Sequence, residues 1–235
     1  MTTKRRRTSG VQRRERASSE ALNRRIDAGS SGSGVSLPDW RLLAIGGVLL
    51  VGVVLIVLVV IFGGGANPNA GVTLPNDGGQ HVSPGVDCRD PAQQNDQTGC
   101  GANPYSSVPA ASGPHWDPSG IANWGVYTTP QPETQLIHNL EHGGIVIWYD
   151  PDAVDQAGID EMAAYVESQV ATGLGGRFKF ILSPWGGRVD LPSAIVVVAW
   201  RHELALDAVD MDAIRGFADA SYLRFAPEPN GGPAP

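Results

Sequence analysis

Residues 42–62 form twenty-one consecutive positions without a charge, rich in Val, Leu and Ile. At 1.5 Å per residue such a helix is about 30 Å long, enough to cross the hydrocarbon core of a bilayer. Gly46, Gly47 and Gly52 are compatible with this, because lipid leaves no water to compete for the helical backbone. The run divides a net charge of −7 into two unlike parts. Residues 1–41 carry ten of the seventeen basic residues and four acids, whereas the part after 62 carries seven basic residues and twenty acids. A cleaved signal peptide fits poorly, since the basic stretch is long and the apolar core exceeds the usual one. The positive-inside rule then places the N-terminus in the cytoplasm and the C-terminal part outside a cell membrane. The expectation is a single-pass signal-anchor protein.

Four further segments follow from composition. Residues 1–39 are Arg-, Ser- and Gly-rich and read as a disordered basic cytoplasmic tail, with residues 40–62 as the membrane helix. A tail tethered to a membrane and lacking interleaved aromatics does not suit nucleic acid. Residues 63–85 read as a flexible linker, 86–229 as one extracytoplasmic globular domain, and 230–235 as a flexible C-terminal tail. The only cysteines, Cys88 and Cys100, lie in the exported part, where an oxidising compartment favours a disulfide.

Within the domain the hydrophobic pattern predicts strands over 124–129, 145–149, 178–182 and 194–200. It also predicts helices over 132–142, with Gly143 at the C-terminal cap, over a stretch carrying Ile159, Met162, Ala163, Val166 and Val170, and over a last stretch carrying Met211, Ile214, Phe217, Ala218 and Tyr222. This is an α/β or α+β domain, a small mixed sheet with flanking helices. Its order of elements resembles a thioredoxin-like topology, without a redox Cys-x-x-Cys pair.

The chemistry-bearing residues concentrate in His138-Asn139-Leu140-Glu141-His142-Gly143-Gly144. Residues four apart share a helix face, so His138 and His142 can offer two nitrogens to one metal ion with Glu141 alongside. His115 sits in the turn-forming Ser112-Gly113-Pro114-His115-Trp116, and His202 follows Trp200-Arg201 at the end of a predicted strand. The reading is that His115, His138 and His142 hold a copper or zinc ion, with Glu141 or His202 as supporting or optional ligand. His81 falls in the linker and is expected to be uninvolved. The alternative is structural: one imidazole packs beside a strand while the other caps a helix or faces solvent. The spacing also matches His-x-x-Glu-His of the inverted zinc peptidases. Hydrolysis needs a third protein ligand and an open position, and Glu161, Glu167 and Glu203 lie in no distinctive motif.

Ser112-Gly113-Pro114-His115, Gly125-Val126-Tyr127, the His-Asn-Leu-Glu-His-Gly-Gly stretch and Arg224-Phe225-Ala226-Pro227-Glu228 resemble the bacterial family catalogued as domain of unknown function 3105. Pro109-Ala110-Ala111 stands where the resemblance implies Pro-Pro-Thr. The resemblance implies a single-pass membrane layout and a domain over about 86–229, and it carries no activity. The reading is thus an anchored domain that binds metal without turnover. The competing class is an interaction or assembly module docking on a membrane-protein partner, with structural histidines. A metallohydrolase is the remote third.

Overall fold

The computed structural model describes residues 70–235. The basic tail over 1–39, the membrane helix over 40–62 and the first part of the linker lie outside the described residues. Among the described residues no helix is long and apolar enough to cross a membrane.

The central strands form because each carries a run of apolar residues covered on both faces. They are β5 (Ile145–Tyr149), β6 (Phe180–Pro184) and β7 (Ile195–Ala199), every residue of which is buried. Before them in the chain come four two-residue strands, β1 (Val72–Thr73), β2 (His81–Val82), β3 (His115–Trp116) and β4 (Gly125–Val126), and after them β8 (His202–Leu206). Six of these make one mixed sheet in the order β1-β8-β7-β5-β6-β4, with β4, β5 and β6 parallel and β7, β8 and β1 joined antiparallel. β2 and β3 form a separate parallel pair.

Three α-helices cover the large sheet: α1 (Glu133–Glu141), α2 (Gln156–Val170) and α3 (Met211–Ser221). Side chains alternate between the faces of a strand, and the core divides accordingly. Ile145, Ile147, Phe180, Leu182, Ile195 and Val197 pack with Met162 and Val166 of α2 and with Ile214 and Phe217 of α3. Val146, Trp148, Ile181, Val196 and Val198 pack on the other face with Leu136, Ile137 and Leu140 of α1. The helix starts follow local chemistry: Asp155 accepts from the Gly158 amide at 2.8 Å, and Asp210 from the Ala213 amide at 2.9 Å.

Three expectations need correction. The linker expected over 63–85 is ordered in its described part, because β1 pairs with β8 and β2 with β3. β8 is missed by the apolar pattern, since His202–Leu206 opens on His202 and Glu203 and has no buried residue. The flexible tail expected over 230–235 is instead tied down. The Lys179 ammonium, almost wholly buried, donates to the carbonyls of His142, Pro229 and Gly231 at 2.8 Å each, and Trp124 Nε1 donates to the Pro233 carbonyl at 2.9 Å. A buried ammonium without a carboxylate partner must take carbonyl acceptors, and the C-terminal segment supplies them. Burial accordingly holds the Lys179 pKa below its usual value.

Cys88 and Cys100 form the expected disulfide with Cα atoms 5.4 Å apart. Closing this loop, with a sequence separation of 12, contributes about 3 kcal/mol on the chain-entropy estimate.

Candidate metal centre

Helix α1 has two working faces. Leu136, Ile137 and Leu140 are pressed onto the sheet, and the face beside them carries His138 and Glu141, with His142 one residue past the helix end. Gly143 follows with φ +82, a left-handed conformation that ends the helix, and a Cβ there would lie 2.6 Å from Leu223. At Gly144 a Cβ would lie 2.5 Å from the Trp124 ring. The two glycines after His142 are thus required by the turn and by close packing, respectively. Asn139 holds the neighbouring loop by donating to the Ala122 carbonyl at 2.9 Å.

The β2–β3 pair faces α1 and sets His81 directly opposite His115 in register. As a result His81, His115, His138 and Glu141 offer ligand atoms that all lie within 4.8 Å of one another. The ring centroids of His81 and His138 are 5.1 Å apart, as are those of His115 and His138, and His81 and His115 are 4.9 Å apart. Glu141, His142 and Glu228 form a second such group that shares Glu141.

The hydrogen bonds fix which nitrogens are available. His115 Nδ1 donates to the Gly113 carbonyl at 2.8 Å, His138 Nδ1 to the Trp116 carbonyl at 2.5 Å, and His142 Nδ1 to the Glu228 carbonyl at 3.0 Å. A carbonyl only accepts, so each Nδ1 carries the hydrogen and each neutral ring keeps a lone pair on Nε2. Those Nε2 atoms face other acceptors. His115 Nε2 is 3.1 Å from Glu141 Oε2, His138 Nε2 is 3.0 Å from His142 Nε2, and His81 Nε2 is 3.5 Å from Glu141 Oε2. Lone pairs at such distances repel unless positive charge lies between them. One proton in the His115–Glu141 contact and one in the His138–His142 contact satisfies them, and so does a divalent cation.

Burial tilts this balance. His115 is fully enclosed and His138 is 1% exposed. Burial, with His115 and His142 as like-charged neighbours, holds the His138 imidazole below its ordinary pKa despite the Trp116 carbonyl. At neutral pH His138 is therefore the neutral, ligand-ready ring. Burial alone would raise the Glu141 carboxyl, but the His115 hydrogen bond and the imidazoles of His115, His138 and His81 hold it below the usual range. Glu141 is an anion at neutral pH.

Of the sequence-predicted residues, His115, His138 and Glu141 meet in one cluster, and His142 touches it through His138. His202 stands apart. Its Nδ1 lies 3.0 Å from the Trp200 carbonyl, its Nε2 lies 3.1 Å from Thr73 Oγ1, and its ring stacks on Phe225. The antiparallel turn into β8 directs it to the β1 edge, so it does not belong to either ligand group. His81, which the sequence places in a linker, is a member. Nothing in Gly79-Gln80-His81-Val82 announces this, because a two-residue strand leaves no periodicity. Glu228 is visible in the sequence only as part of the ending Arg224-Phe225-Ala226-Pro227-Glu228.

No curated protein and no solved structure matches the chain. A family model described as protein of unknown function (DUF3105) matches residues 97–233, which include His115, the His138–Gly144 stretch and Glu228. The chain belongs to that family.

Proposed function

We propose that this protein is a membrane-anchored, extracytoplasmic binder of a divalent transition-metal ion, copper(II) or zinc, held by His81, His115, His138 and Glu141 with His142 beside them. The observation that carries this reading is the convergence of imidazole Nε2 atoms on one another and on a carboxylate, with the rings of His115, His138 and His142 each fixed from behind by a backbone carbonyl. Metal-binding histidines are oriented in this way, through the ring nitrogen that does not ligate. Imidazole and carboxylate suit zinc and copper(II), and no thiolate is on hand, since both cysteines are in the disulfide. The reading is of binding without turnover. The clefts over α2 and α3, and the one beside Arg89 and Arg188, include none of these residues.

The anchor and its orientation are supported by the uncharged run 42–62 after a basic segment, and the extracytoplasmic placement by the disulfide. The sheet supports a thioredoxin-like arrangement, with β4, β5 and β6 parallel, β7 antiparallel to β5, and β8 antiparallel to β7. With the two cysteines of the sequence joined in one disulfide and no Cys-x-x-Cys motif, dithiol chemistry does not form part of the reading.

The test is titration of the purified full-length chain with zinc and with copper(II), followed by desalting and elemental analysis. About one retained ion per chain is expected at neutral pH, falling away in acid, where protons compete with the ion for the ligand atoms. Binding releases up to about two protons, because the ion replaces those bridging the two contacts. An absence of retained metal at neutral pH overturns the reading.

A further inference from the structure

Resting on that reading, we propose that the centre has three fixed ligands and one exchangeable position. His81 is the ligand that leaves, and an exogenous imidazole-type nitrogen donor takes its place when the ion enters or is handed on. The four ligands are not equivalent. His115 and His138 are anchored through Nδ1 to the carbonyls of Gly113 and Trp116, and both are buried. Glu141 is 6% exposed and projects from the rigid helix α1. His81 differs in exposure and in anchoring. Its side chain is 42% exposed. Among the described residues no hydrogen-bond partner fixes its second ring nitrogen. Its only contacts in the cluster are the 3.5 Å approach to Glu141 Oε2 and the ring contacts with His115 and His138.

A permanently bound structural ion is enclosed by a full set of oriented ligands, whereas an ion that must react or move keeps one position open. Here the open side is the His81 side. An incoming imidazole needs only to displace an unlocked, solvent-facing ring, while the other three ligands keep the ion in place. The same asymmetry makes the ion a cargo instead of a brace for the fold.

The experiment uses the full-length chain and its His81→Ala variant, each loaded with zinc, with transfer to a chromogenic chelator followed by stopped flow in the presence and absence of imidazole. The variant is expected to retain one ion per chain and to release it at least tenfold faster than the wild type. Millimolar imidazole is expected to bring the variant's rate back toward that of the wild type by filling the vacated position. Failure of His81→Ala to retain any ion overturns the proposal, because His81 would then be a required fixed ligand. Release at the wild-type rate, unaffected by imidazole, also overturns it, because His81 would then not be a ligand. Both results leave the binding reading standing, whereas a wild-type chain that retains no ion removes both.

Discussion

Alanine at both His115 and His138 abolishes retention of zinc or copper(II) by the full-length chain. Each substitution alone weakens binding by more than about a hundredfold, since even partners one shell out from a metal cost 10–100-fold. The two histidines come from different elements, β3 and α1, and their Nδ1 atoms are tied to separate carbonyls. Neither can be replaced by a shift of the other. His142 lies outside the His81, His115, His138 and Glu141 group, and the Glu228 carbonyl 3.0 Å from its Nδ1 holds its ring in that place. Elemental analysis after desalting measures the loss, with far-UV circular dichroism checking that helix content is unchanged. His202→Ala serves as the control and leaves retention at the wild-type level, since His202 belongs to neither ligand group.

Arg89→Ala destabilises the domain by about 3 kcal/mol, a fall in Tm of roughly 6–12 °C. Arg89 joins the disulfide loop to the first turn of α1. Its Nε and a terminal nitrogen reach the two Glu133 oxygens at 2.8 and 3.0 Å, and it also donates to the Ser107 carbonyl. Glu133 additionally accepts from the Ala110 amide at 2.5 Å. Both side chains are largely buried, at 15% and 5% exposure, so removing the guanidinium leaves a carboxylate enclosed without its cation. Most of the cost is therefore the unpaired charge. Adding Glu133→Gln to Arg89→Ala recovers a substantial part of the lost Tm, because the amide oxygen still accepts from Ala110 and carries no charge. Thermal unfolding of the three proteins decides this. A double variant no more stable than Arg89→Ala contradicts the argument and assigns the loss to packing against Tyr105, over whose ring Arg89 lies at 4.8 Å.

The legibility of this fold in the sequence depends on how much local signal each element carries. β5 and β7 are continuous apolar runs, β6 opens on the apolar Phe180-Ile181-Leu182, and α2 and α3 carry apolar residues at helical spacing, so all five stand out in the amino-acid pattern itself. Helix α1 is legible for another reason: Pro132 precedes it and Gly143 ends it, with His138, Glu141 and His142 spaced by one turn between. β4 falls inside the strand expected over 124–129, whereas β1, β2 and β3 each hold only two residues and are formed by partners distant in sequence. Such pairing leaves no periodic trace. The candidate site inherits this division. The helix-borne ligands are visible in the sequence, and His115 can be suspected from its turn, but His81 becomes a member only because β2 lies beside β3. His202 looks equivalent to the others in sequence because distance along the chain says nothing about which edge of the sheet a strand end occupies.

The measurement that tests the central claim most directly is X-ray absorption spectroscopy at the metal edge of the zinc-loaded full-length chain. The account predicts three imidazole nitrogens and a carboxylate oxygen at roughly 2.0–2.2 Å, with the outer-shell scattering that imidazole rings produce. An ion surrounded only by oxygen, with no imidazole scattering, contradicts it and reduces the histidine cluster to a protonated network inside the fold.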